Sequence, residues 1–428
     1  MEISDLHHLF LTCRAVSIDT RTLNPNDLFF AIKGERFNGN IYAEKALEKK
    51  AAYAIVDDAK YNISEKTILV KDVLSTLQEL ASYHRAYLNI PIIALTGSNG
   101  KTTTKELIRH VLSKKYKVTS TFGNLNNHIG VPLTLLSMTK QTEIGVVEMG
   151  ANHQKEIDFL CKICNPDYGY ITNFGKAHLE GFGGIEGVIK GKSEMYDYLI
   201  AHQKTIFINT TDPIQVSKTK DAKVFSFGNS AKNNDVSITL TGVSPTITCT
   251  FNNSSIQSQL IGDYNFNNIA TAIAIGTYFQ VKNIDIKQAI ENYKPNNNRS
   301  QIIKKGGATI ILDAYNANPT SMEAALLNFE KQIGYKIAIL GDMFELGEAS
   351  SYEHQHIVDL ATKLHIDIIV LIGSHFNTSK TTYKDVFRYE TYDNFKTSFD
   401  MLQLKKTATF LIKGSRGMAL ERILDIFD

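Results

Sequence analysis

The residues with the clearest chemical meaning form a short glycine-rich segment, Thr96-Gly-Ser-Asn-Gly-Lys-Thr102. Gly97 and Gly100 allow a tight turn that can direct backbone N–H groups toward an anion. Lys101 adds a positive charge, and the Thr102 hydroxyl is a suitable ligand for Mg²⁺. The spacing is two residues shorter than the usual phosphate loop. A glycine-rich turn with a solvated lysine is the alternative, but the apolar strand before the segment and the helix after it favour a nucleoside triphosphate site. The residues predicted to bind the nucleotide here are Thr96, Gly97, Ser98, Asn99, Gly100, Lys101, Thr102 and Thr103.

A carboxylate follows a second apolar strand. Residues 144–147 read Ile-Gly-Val-Val and lead directly into Glu148. Open α/β sheets bind ligands at the carboxyl ends of their strands, and Glu148 with Thr102 would form an oxygen site suited to Mg²⁺. The alternative is a carboxylate that caps the turn at 149–152. We favour the metal site, because an acid after a buried strand serves nucleoside triphosphatases generally.

Two further polar positions are ambiguous when they are taken alone. His178 follows the predicted strand at 168–172, and a loop histidine more often forms hydrogen bonds or is solvated than binds metal. Lys192 lies in Lys190-Gly-Lys192-Ser-Glu194, which we expect at the start of a helix, where the helix dipole disfavours lysine. A solvated helix face is the simpler interpretation of Lys192, and composition alone does not exclude it.

Near the C-terminus, two polar loops follow consecutive predicted strands. The first is Asp313-Ala-Tyr-Asn-Ala-Asn-Pro-Thr-Ser321, in which Pro319 fits the first turn of a helix. The second is Leu340-Gly-Asp-Met-Phe-Glu-Leu-Gly347. Each loop alone could be a locally capped turn. Because both leave the same edge of one parallel sheet, together they predict a docking surface.

The elements that position these residues predict an α/β protein of three domains, 1–84, 85–299 and 300–428. The first alternates short strands and helices without a phosphate loop of its own. The second begins as a nucleotide-binding sheet and then changes to period-two segments at 236–240, 246–251 and 256–260, which predict an antiparallel patch. A polar linker at 294–299 precedes a third, mainly parallel α/β domain.

Composition restricts the function classes. The 428 residues include 46 basic and 44 acidic side chains, and without a long basic run nucleic acid is an unexpected partner. We also find no apolar run of bilayer-spanning length and no export signal. The four cysteines fit a reducing compartment, and Cys161-Lys-Ile-Cys164, with no second pair, is expected to be packing residues in a helix. These features predict a soluble cytoplasmic protein without membrane insertion.

The motifs together resemble those of the Mur ligases, the ATP-dependent amide-forming enzymes of peptidoglycan precursor synthesis. The resemblance extends over nearly the whole chain, and implies an N-terminal UDP-binding domain, a central ATPase domain and a C-terminal Rossmann-like domain. The segments that carry it are Thr96–Thr102, Glu148-Met-Gly150, Asn173 to Glu180, Lys192-Ser-Glu194, Gly262-Asp-Tyr-Asn265-Phe-Asn-Asn268, the two C-terminal loops and Lys413-Gly-Ser-Arg-Gly-Met418.

The resemblance also implies roles for individual residues. It implies ATP and two Mg²⁺ ions, with Lys192 carbamylated so that it can ligate the second ion beside His178. The implied catalytic residues are Lys101, Glu148, His178, Lys192 and Arg299. The implied metal ligands are Thr102, Glu148, His178 and Lys192. The implied nucleotide contacts beyond the phosphate loop are Asn265, Asn268, Arg299, Asp313 and Tyr315. The implied substrate contacts are Ser17, Asp19, Arg21, Thr22 and Lys33 for uridine diphosphate, and Asn316, Asn318 and Ser321 in the C-terminal domain. Tyr264 departs from the histidine that is common before the first of these asparagines, which affects the expected packing of adenine.

Within the family, the C-terminal loops are similar to those of members that join D-alanyl-D-alanine to UDP-N-acetylmuramoyl-tripeptide through an acyl phosphate. The Asp-Asn-Pro-Arg motif of members that add the third peptide residue is not in the sequence. Alternatives are a lysine- or diaminopimelate-adding ligase, a folylpolyglutamate synthase, a phosphate-loop switch or motor, and a plain nucleotide-binding module. We expect a monomer. The sequence does not identify the third residue of the acceptor peptide.

Overall fold

A computed structural model of the chain describes residues 1–230, 232–244, 246–398 and 407–427. Three separate β-sheets of four, nine and six strands follow one another along the chain, and helices cover them. The predicted α/β class with three sheet-based units is confirmed. A parallel sheet needs cover on both faces, which explains the continuous apolar strands that the sequence contains.

The N-terminal unit contains a four-stranded parallel sheet in the order β1-β2-β5-β6, and β3 pairs with β4 in a short hairpin beside it. Buried aromatic and aliphatic residues of β2 and β5 form the centre of this unit. Its elements are α1 (Ile3–Thr12), β1 (Val16–Ser17), β2 (Leu28–Phe30), β3 (Lys33–Gly34), β4 (Phe37–Asn38), α2 (Ala43–Glu48), β5 (Tyr53–Val56), β6 (Thr67–Leu69) and α3 (Val73–Leu88).

The central unit has a nine-stranded sheet in the order β15-β14-β13-β12-β11-β10-β7-β9-β8. The strands from β7 to β13 pair in parallel, while β13, β14 and β15 pair antiparallel, as the period-two pattern predicts. Its elements are β7 (Ile92–Thr96), α4 (Lys101–Leu112), β8 (Val118–Ser120), α5 (Gly130–Leu136), β9 (Ile144–Glu148), α6 (Glu156–Cys164), β10 (Tyr168–Ile171), α7 (Leu179–Phe182), α8 (Ile185–Ala201), β11 (Thr205–Asn209), α9 (Pro213–Lys218), β12 (Lys223–Gly228), β13 (Val236–Gly242), β14 (Thr248–Phe251), β15 (Ser254–Gln257), α10 (Asn265–Tyr278) and α11 (Asn283–Asn292).

The C-terminal unit has a six-stranded sheet in the order β16-β17-β21-β18-β19-β20, in which only the β16–β17 pairing is antiparallel among the described strands. Its elements are β16 (Gln301–Lys305), β17 (Ala308–Asp313), α12 (Pro319–Glu330), β18 (Lys336–Gly341), α13 (Ser350–Ala361), β19 (Ile368–Ile372), α14 (Ser374–Asn377), β20 (Val386–Tyr389), α15 (Tyr392–Ser398) and β21 (Thr409–Lys413). Short 3-10 helices occur at Gly39–Tyr42, Ala59–Tyr61, Gly347–Ala349, Arg416–Met418 and Leu420–Phe427.

Helix α3 connects the first unit to the second. It begins at the cap Asp72, ends at Leu88, and packs on α5 and α6 of the central unit. On this helix, Arg85 donates hydrogen bonds to the carbonyl of Cys164 and to the carboxylate of Asp167. The predicted division at residue 84 therefore falls within one continuous helix, and the boundaries at 84/85 and 299/300 stay predictions.

Candidate active site

The topology of the central sheet brings three predicted loops to one edge. Strand β7 lies between β9 and β10 and is parallel to both. Leu95 is in register with Glu148, and Thr96 is in register with Ile171. The phosphate loop, the Glu148 carboxylate and the loop that contains His178 therefore leave the sheet side by side. This is the strand-end arrangement in which open α/β sheets bind ligands.

The phosphate loop has the left-handed backbone that its glycines allow. The φ angles are 139° at Gly97 and 80° at Gly100, and the latter immediately precedes α4. The Lys101 ammonium folds back and donates to the carbonyls of Gly97 (2.6 Å) and Ser98 (3.2 Å). Burial lowers the pKa of Lys101 to about 8; Glu148 opposes this effect, and the positive charge of Arg299 adds to it. Lys101 and Arg299 also line one cavity, where an anionic phosphate would relieve their repulsion.

Glu148 and Thr102 meet beside this loop. The Thr102 hydroxyl donates to Oε1 of Glu148 (3.3 Å), and the Asn126 amide donates to the same oxygen (2.8 Å). The Glu148 side chain is buried, and its Oε2 has no hydrogen-bond partner among the described residues. A buried carboxylate oxygen without a partner is costly unless a cation neutralises it. The donor set of hydroxyl and carboxylate oxygens fits Mg²⁺.

The expected position of Lys192 at the start of a helix is wrong. Helix α8 begins at Ile185, so Lys192 lies in its interior, and its side chain is 1% exposed rather than part of a solvated face. The amine donates to the carbonyl of Ala151 (3.0 Å) and lies 4.9 Å from the centre of the Phe182 ring. Burial, with a further contribution from the charge of Lys101, lowers the pKa of Lys192 well below its usual range. Its environment favours an uncharged amine.

His178 has a left-handed backbone and hydrogen-bonds through Nδ1 to Glu345 of the C-terminal unit. This contact lowers the pKa of the Glu345 carboxyl. Within the described parts of the chain, no three His, Cys, Asp or Glu side chains cluster as a preformed metal site. Of the predicted metal ligands, only Thr102 and Glu148 contact each other here. The metal roles of all four residues stay predictions.

The asparagines at the start of α10 face the phosphate-loop helix. Asn268 accepts a hydrogen bond from the Thr104 hydroxyl (2.9 Å) and donates to the side chain of Asn265 (2.8 Å). The Asn265 amide in turn donates to the carbonyl of Ile261 (2.7 Å). Tyr264 is hydrogen-bonded to the Ser300 hydroxyl (2.9 Å). These bonds fix α10 and the beginning of the C-terminal unit beside the phosphate loop.

The linker residue Arg299 stacks on the Tyr315 ring, with its guanidinium carbon 3.7 Å from the ring centre. Its Nε is buried and has no hydrogen-bond partner in the described part of the structure. Nearby, Asp313 accepts from the buried Lys413 ammonium (2.6 Å) and from the backbone N–H of Ser300 (3.1 Å). Asp313 and Lys413 are in register on adjacent strands β17 and β21, which explains their proximity.

The predicted substrate residues of the C-terminal loop have local structural roles. Asn318 and Ser321 form a capping box at the start of α12, and the carbonyl of Asn316 accepts from Lys413 (3.2 Å). The Asn318 side chain also contacts Asn99 of the phosphate loop. These contacts place the loop beside the phosphate loop.

The predicted uridine diphosphate residues lie in the N-terminal unit, and the structure separates them into two groups. Ser17, Asp19, Arg21 and Thr22 share one turn, in which Asp19 pairs with the exposed Arg21 (2.7 Å). Lys33 instead pairs with Asp57 at 2.8 Å. In the described part of the chain, none of these five side chains lines the cavity beside the phosphate loop.

A cavity of about 630 Å³ lies between the central unit and the C-terminal unit, and residues of both units line it. Lys101, Glu148 and His178 line it from the central unit, and Asp313 and Asn318 line it from the C-terminal unit. Polar groups from two units thus face one shared cleft. A polar cleft between two units is suited to a reaction between a nucleotide and a second substrate.

Comparisons with known proteins agree with this geometry. Three family models match the chain: "Mur ligase family, catalytic domain" at residues 12–85, "Mur ligase middle domain" at residues 95–276, and "Mur ligase, glutamate ligase domain" at residues 298–416. The Bacillus subtilis (strain 168) UDP-N-acetylmuramoyl-tripeptide–D-alanyl-D-alanine ligase is 37% identical over 421 residues, 96% of this chain and 92% of that protein. The chain belongs to the Mur ligase family.

Further relatives match this Mur ligase along almost its whole length. The enzyme of the same name from Escherichia coli (strain K12) is 32% identical, covering 97% of this chain and 93% of that protein. Among solved structures, MurF from Acinetobacter baumannii has a TM-score of 0.86 at 31% identity and covers 99% of this chain and 98% of its own. MurF ligase from Thermotoga maritima in complex with ADP has a TM-score of 0.83 at 27% identity, with 98% and 97% covered.

More distant structures share the fold alone. Folylpolyglutamate synthase from Mycobacterium tuberculosis, complexed with ADP and AMPPCP, has a TM-score of 0.62 at 13% identity, over 82% of this chain and 94% of its own.

Among the described residues, no helix combines the length and apolarity needed to cross a bilayer.

The Mur ligase site also contains residues that sequence reasoning missed. Asn126 contacts Glu148, and Asn124, Asn127 and His128 line the same cavity. The signal was present as a polar run, Asn124-Leu-Asn-Asn-His128, shortly after strand β8. The role of Lys413 is not evident from the sequence, because its partner Asp313 lies 100 positions away in the chain.

Proposed function

We infer that this chain is an ATP-dependent ligase that joins D-alanyl-D-alanine to UDP-N-acetylmuramoyl-tripeptide through an acyl phosphate. One structural observation supports this most strongly. The phosphate loop, the cations Lys101 and Arg299, and the polar loops of the C-terminal unit all face one cavity. A switch or motor would not need a second polar docking surface there. The full-length similarity to enzymes of that name supports this function over the other ligases.

The first step transfers the terminal phosphoryl group of ATP to the peptide carboxylate. A carboxylate is a poor electrophile, and phosphorylation converts one of its oxygens into part of a leaving group. Phosphoryl transfer depends mainly on positioning and on neutralisation of charge. Lys101 and Arg299, the two cations that line the cavity at the phosphate loop, are placed to supply that neutralisation.

In the second step, the amine nitrogen of D-alanyl-D-alanine attacks the acyl carbon, and the bond to the phosphate oxygen breaks. The products are the amide, inorganic phosphate and a proton. The C-terminal unit holds the dipeptide in this proposal, with Asn316, Asn318 and Ser321 near it. Docking of this unit over the phosphate loop excludes water from the acyl phosphate.

Thr102 and Glu148 would hold Mg²⁺, and the unpartnered Glu148 oxygen supports this assignment. The ion neutralises phosphate charge when it is bound. We assign Lys192 as the site of carbamylation, in which its neutral amine adds to CO₂ and releases a proton. The burial of Lys192 and the lowered pKa of its amine support this chemistry. The carbamate and His178 would then serve a second Mg²⁺.

For nucleotide recognition, we assign Asn265, Asn268, Asp313 and Tyr315 to ATP. The turn that contains Ser17, Asp19, Arg21 and Thr22, together with Lys33, is assigned to uridine diphosphate. Arg21 and Lys33 are exposed cations that each pair with an aspartate, and in this proposal they contact the phosphates of uridine diphosphate. We place the reaction in the cytoplasm and assign it to a monomer, since one chain supplies every loop of the site.

A panel of acceptor amines tests this function. Phosphate release is measured with ATP, Mg²⁺ and UDP-N-acetylmuramoyl-tripeptide, and D-alanyl-D-alanine, L-lysine, meso-diaminopimelate or L-glutamate is added in turn. We expect product formation with the dipeptide alone. Each of the other amines is also tested with the carboxylate substrate of its own ligase, and product there would instead assign that neighbouring ligase. Phosphate release independent of any amine would assign a plain ATPase.

A further inference from the structure

One ion pair between the central and C-terminal units is not part of the chemistry described above. Lys176, in the loop that leads to His178, extends its ammonium to Oε1 of Glu353 at 2.6 Å. Glu353 lies in the first turn of α13 in the C-terminal unit. The two residues are separated by 177 positions in the sequence, so the pair forms only when the two units are docked.

The burial of the two partners is unequal. The Glu353 side chain is 5% exposed, whereas that of Lys176 is 45% exposed. Oε2 of Glu353 is buried and accepts no hydrogen bond from the residues that the structure describes. The charge of this carboxylate is therefore balanced mainly by Lys176. A buried charge that loses its partner is strongly unfavourable, so the pair favours the docked arrangement.

The neighbouring histidine does not replace Lys176. His354 is buried, its Nδ1 bonds to the carbonyl of Ser350 (2.7 Å), and its Nε2 accepts from the backbone N–H of Met343 (3.0 Å). A histidine that accepts at one nitrogen and donates to a carbonyl at the other is neutral. Among the described ion pairs of Glu353, Lys176 is the one cation.

The Lys176 segment is also tied to the phosphate loop. Its backbone N–H donates to the Thr320 hydroxyl of the C-terminal unit (3.0 Å). The carbonyl of the preceding Gly175 accepts from the Ser98 hydroxyl of the phosphate loop (2.7 Å). One short segment therefore contacts the site of phosphoryl transfer on one side and the C-terminal docking surface on the other.

We propose that Lys176 and Glu353 are positioning residues that hold the C-terminal unit on the phosphate loop, so that the dipeptide amine reaches the acyl phosphate before water does. This inference rests on the proposed ligase function. Without the pair, the C-terminal unit is less often docked. Water then attacks the acyl phosphate, regenerating the tripeptide carboxylate and releasing phosphate without forming an amide.

The test uses full-length protein with Lys176→Met, Glu353→Gln, both substitutions together, and Lys176→Arg. We expect Lys176→Met to raise the KM for D-alanyl-D-alanine by about fivefold or more, the usual lower range for coupling between sites. The KM for UDP-N-acetylmuramoyl-tripeptide, whose uridine diphosphate is assigned to the N-terminal unit, should be unchanged, and more phosphate should be released per pentapeptide formed. Lys176→Arg should have the wild-type KM for D-alanyl-D-alanine and the wild-type ratio of phosphate to pentapeptide. The double variant should raise these two quantities no further than Lys176→Met alone. Lys162→Met, which removes an exposed ion pair within α6, is the matched control.

Glu353→Gln changes a buried group, and Lys176→Met leaves the buried Glu353 carboxylate without its cation, so the melting temperatures of both variants are measured as well. The double variant removes both charges and keeps the test independent of an unpaired buried charge. The inference is overturned if folded Lys176→Met has the wild-type KM for the dipeptide and the wild-type ratio of phosphate to pentapeptide. An equal rise in KM for all three substrates would also overturn it, because that result indicates general damage. Wild-type protein that makes no pentapeptide would contradict the proposed function itself.

Discussion

The side-chain amides of Asn99 and Asn318 hydrogen-bond to each other in both directions, across the junction between the central and C-terminal units. Asn318 donates to Oδ1 of Asn99 at 2.7 Å, and Asn99 donates to Oδ1 of Asn318 at 3.4 Å. Asn99 belongs to the phosphate loop, while Asn318 caps helix α12. The start of this helix is thereby aligned with the loop that would hold the phosphates of ATP.

Replacing Asn318 with serine separates its role as the cap of α12 from its amide pair with Asn99. Serine is a good helix cap, so we expect the free energy of unfolding to change by less than about 0.5 kcal/mol. Loss of the amide pair should lower kcat/KM for D-alanyl-D-alanine by about threefold to tenfold, the effect of one hydrogen bond. Steady-state kinetics and urea unfolding check the two expectations. Asn318→Ala, which loses both roles, is the comparison; equal kinetics of the serine variant and wild type would show that the pair has no functional role.

Lys101→Met should abolish both the ligase reaction and ADP formation. The ammonium is one of two cations directed at the phosphate site, and loss of such a group typically lowers kcat by about 10²-fold to 10³-fold or more. ADP formation in the presence of all substrates is the measurement. Lys114→Met, at an exposed position just beyond α4, is the control for loss of a lysine in this region. Near-normal turnover of Lys101→Met would contradict the assignment of the phosphate loop.

Glu148→Gln tests the magnesium site. The amide keeps the shape of the side chain but removes the negative charge next to Thr102. We expect the Mg²⁺ concentration needed for half-maximal activity to rise by about tenfold or more. Binding of the UDP-linked substrate in calorimetry should be unaffected. An unchanged Mg²⁺ requirement would indicate that Glu148 only fixes Asn126 and the following turn.

The buried pair His7 and His84 predicts a loss of stability in acid. His7 bonds to Nδ1 of His84 (2.9 Å), and Nε2 of His84 bonds to the carbonyl of Met138 (2.9 Å). Burial, with the neighbouring His84, lowers the pKa of His7 from 6.5 to about 4. The unfolded chain therefore binds more protons than the folded chain between these values, and stability falls as the pH drops through this range.

We expect His7 to account for a loss on the order of 1 kcal/mol between about pH 7.5 and about pH 5.5. Denaturant unfolding at both pH values measures it. The His7→Phe variant should lose less stability over the same interval, since it has no proton to gain at this position. An identical pH dependence in the two proteins would contradict the interpretation, whatever their absolute stabilities.

The sequence predicted those parts of the site that are local in the chain. The phosphate loop and Glu148 each follow an apolar strand directly, so the neighbouring residues are enough to indicate that each lies at a strand end. The start of α8 was missed because Gly187 and Gly191 disfavour a helix. The structure explains both glycines, since Phe182 packs so closely on this helix that a side chain at either position would collide with it.

Contacts between the units could not be predicted in the same way. The pairs Asn99–Asn318, His178–Glu345 and Lys176–Glu353 join residues far apart in the sequence. No local pattern of charge or periodicity encodes such partners, because they depend on how two folded units dock. The sequence therefore indicated which loops face the site, but not which hydrogen bonds and ion pairs connect the loops of the two units.

Oxygen-18 placed in the C-terminal carboxylate of UDP-N-acetylmuramoyl-tripeptide gives the most direct test of the central claim. The labelled substrate is incubated with the protein, ATP, Mg²⁺ and D-alanyl-D-alanine, and the products are analysed by mass spectrometry. An acyl phosphate predicts a pentapeptide product and one labelled oxygen in the phosphate released for each amide formed. Unlabelled phosphate, or phosphate released without pentapeptide, would contradict the account.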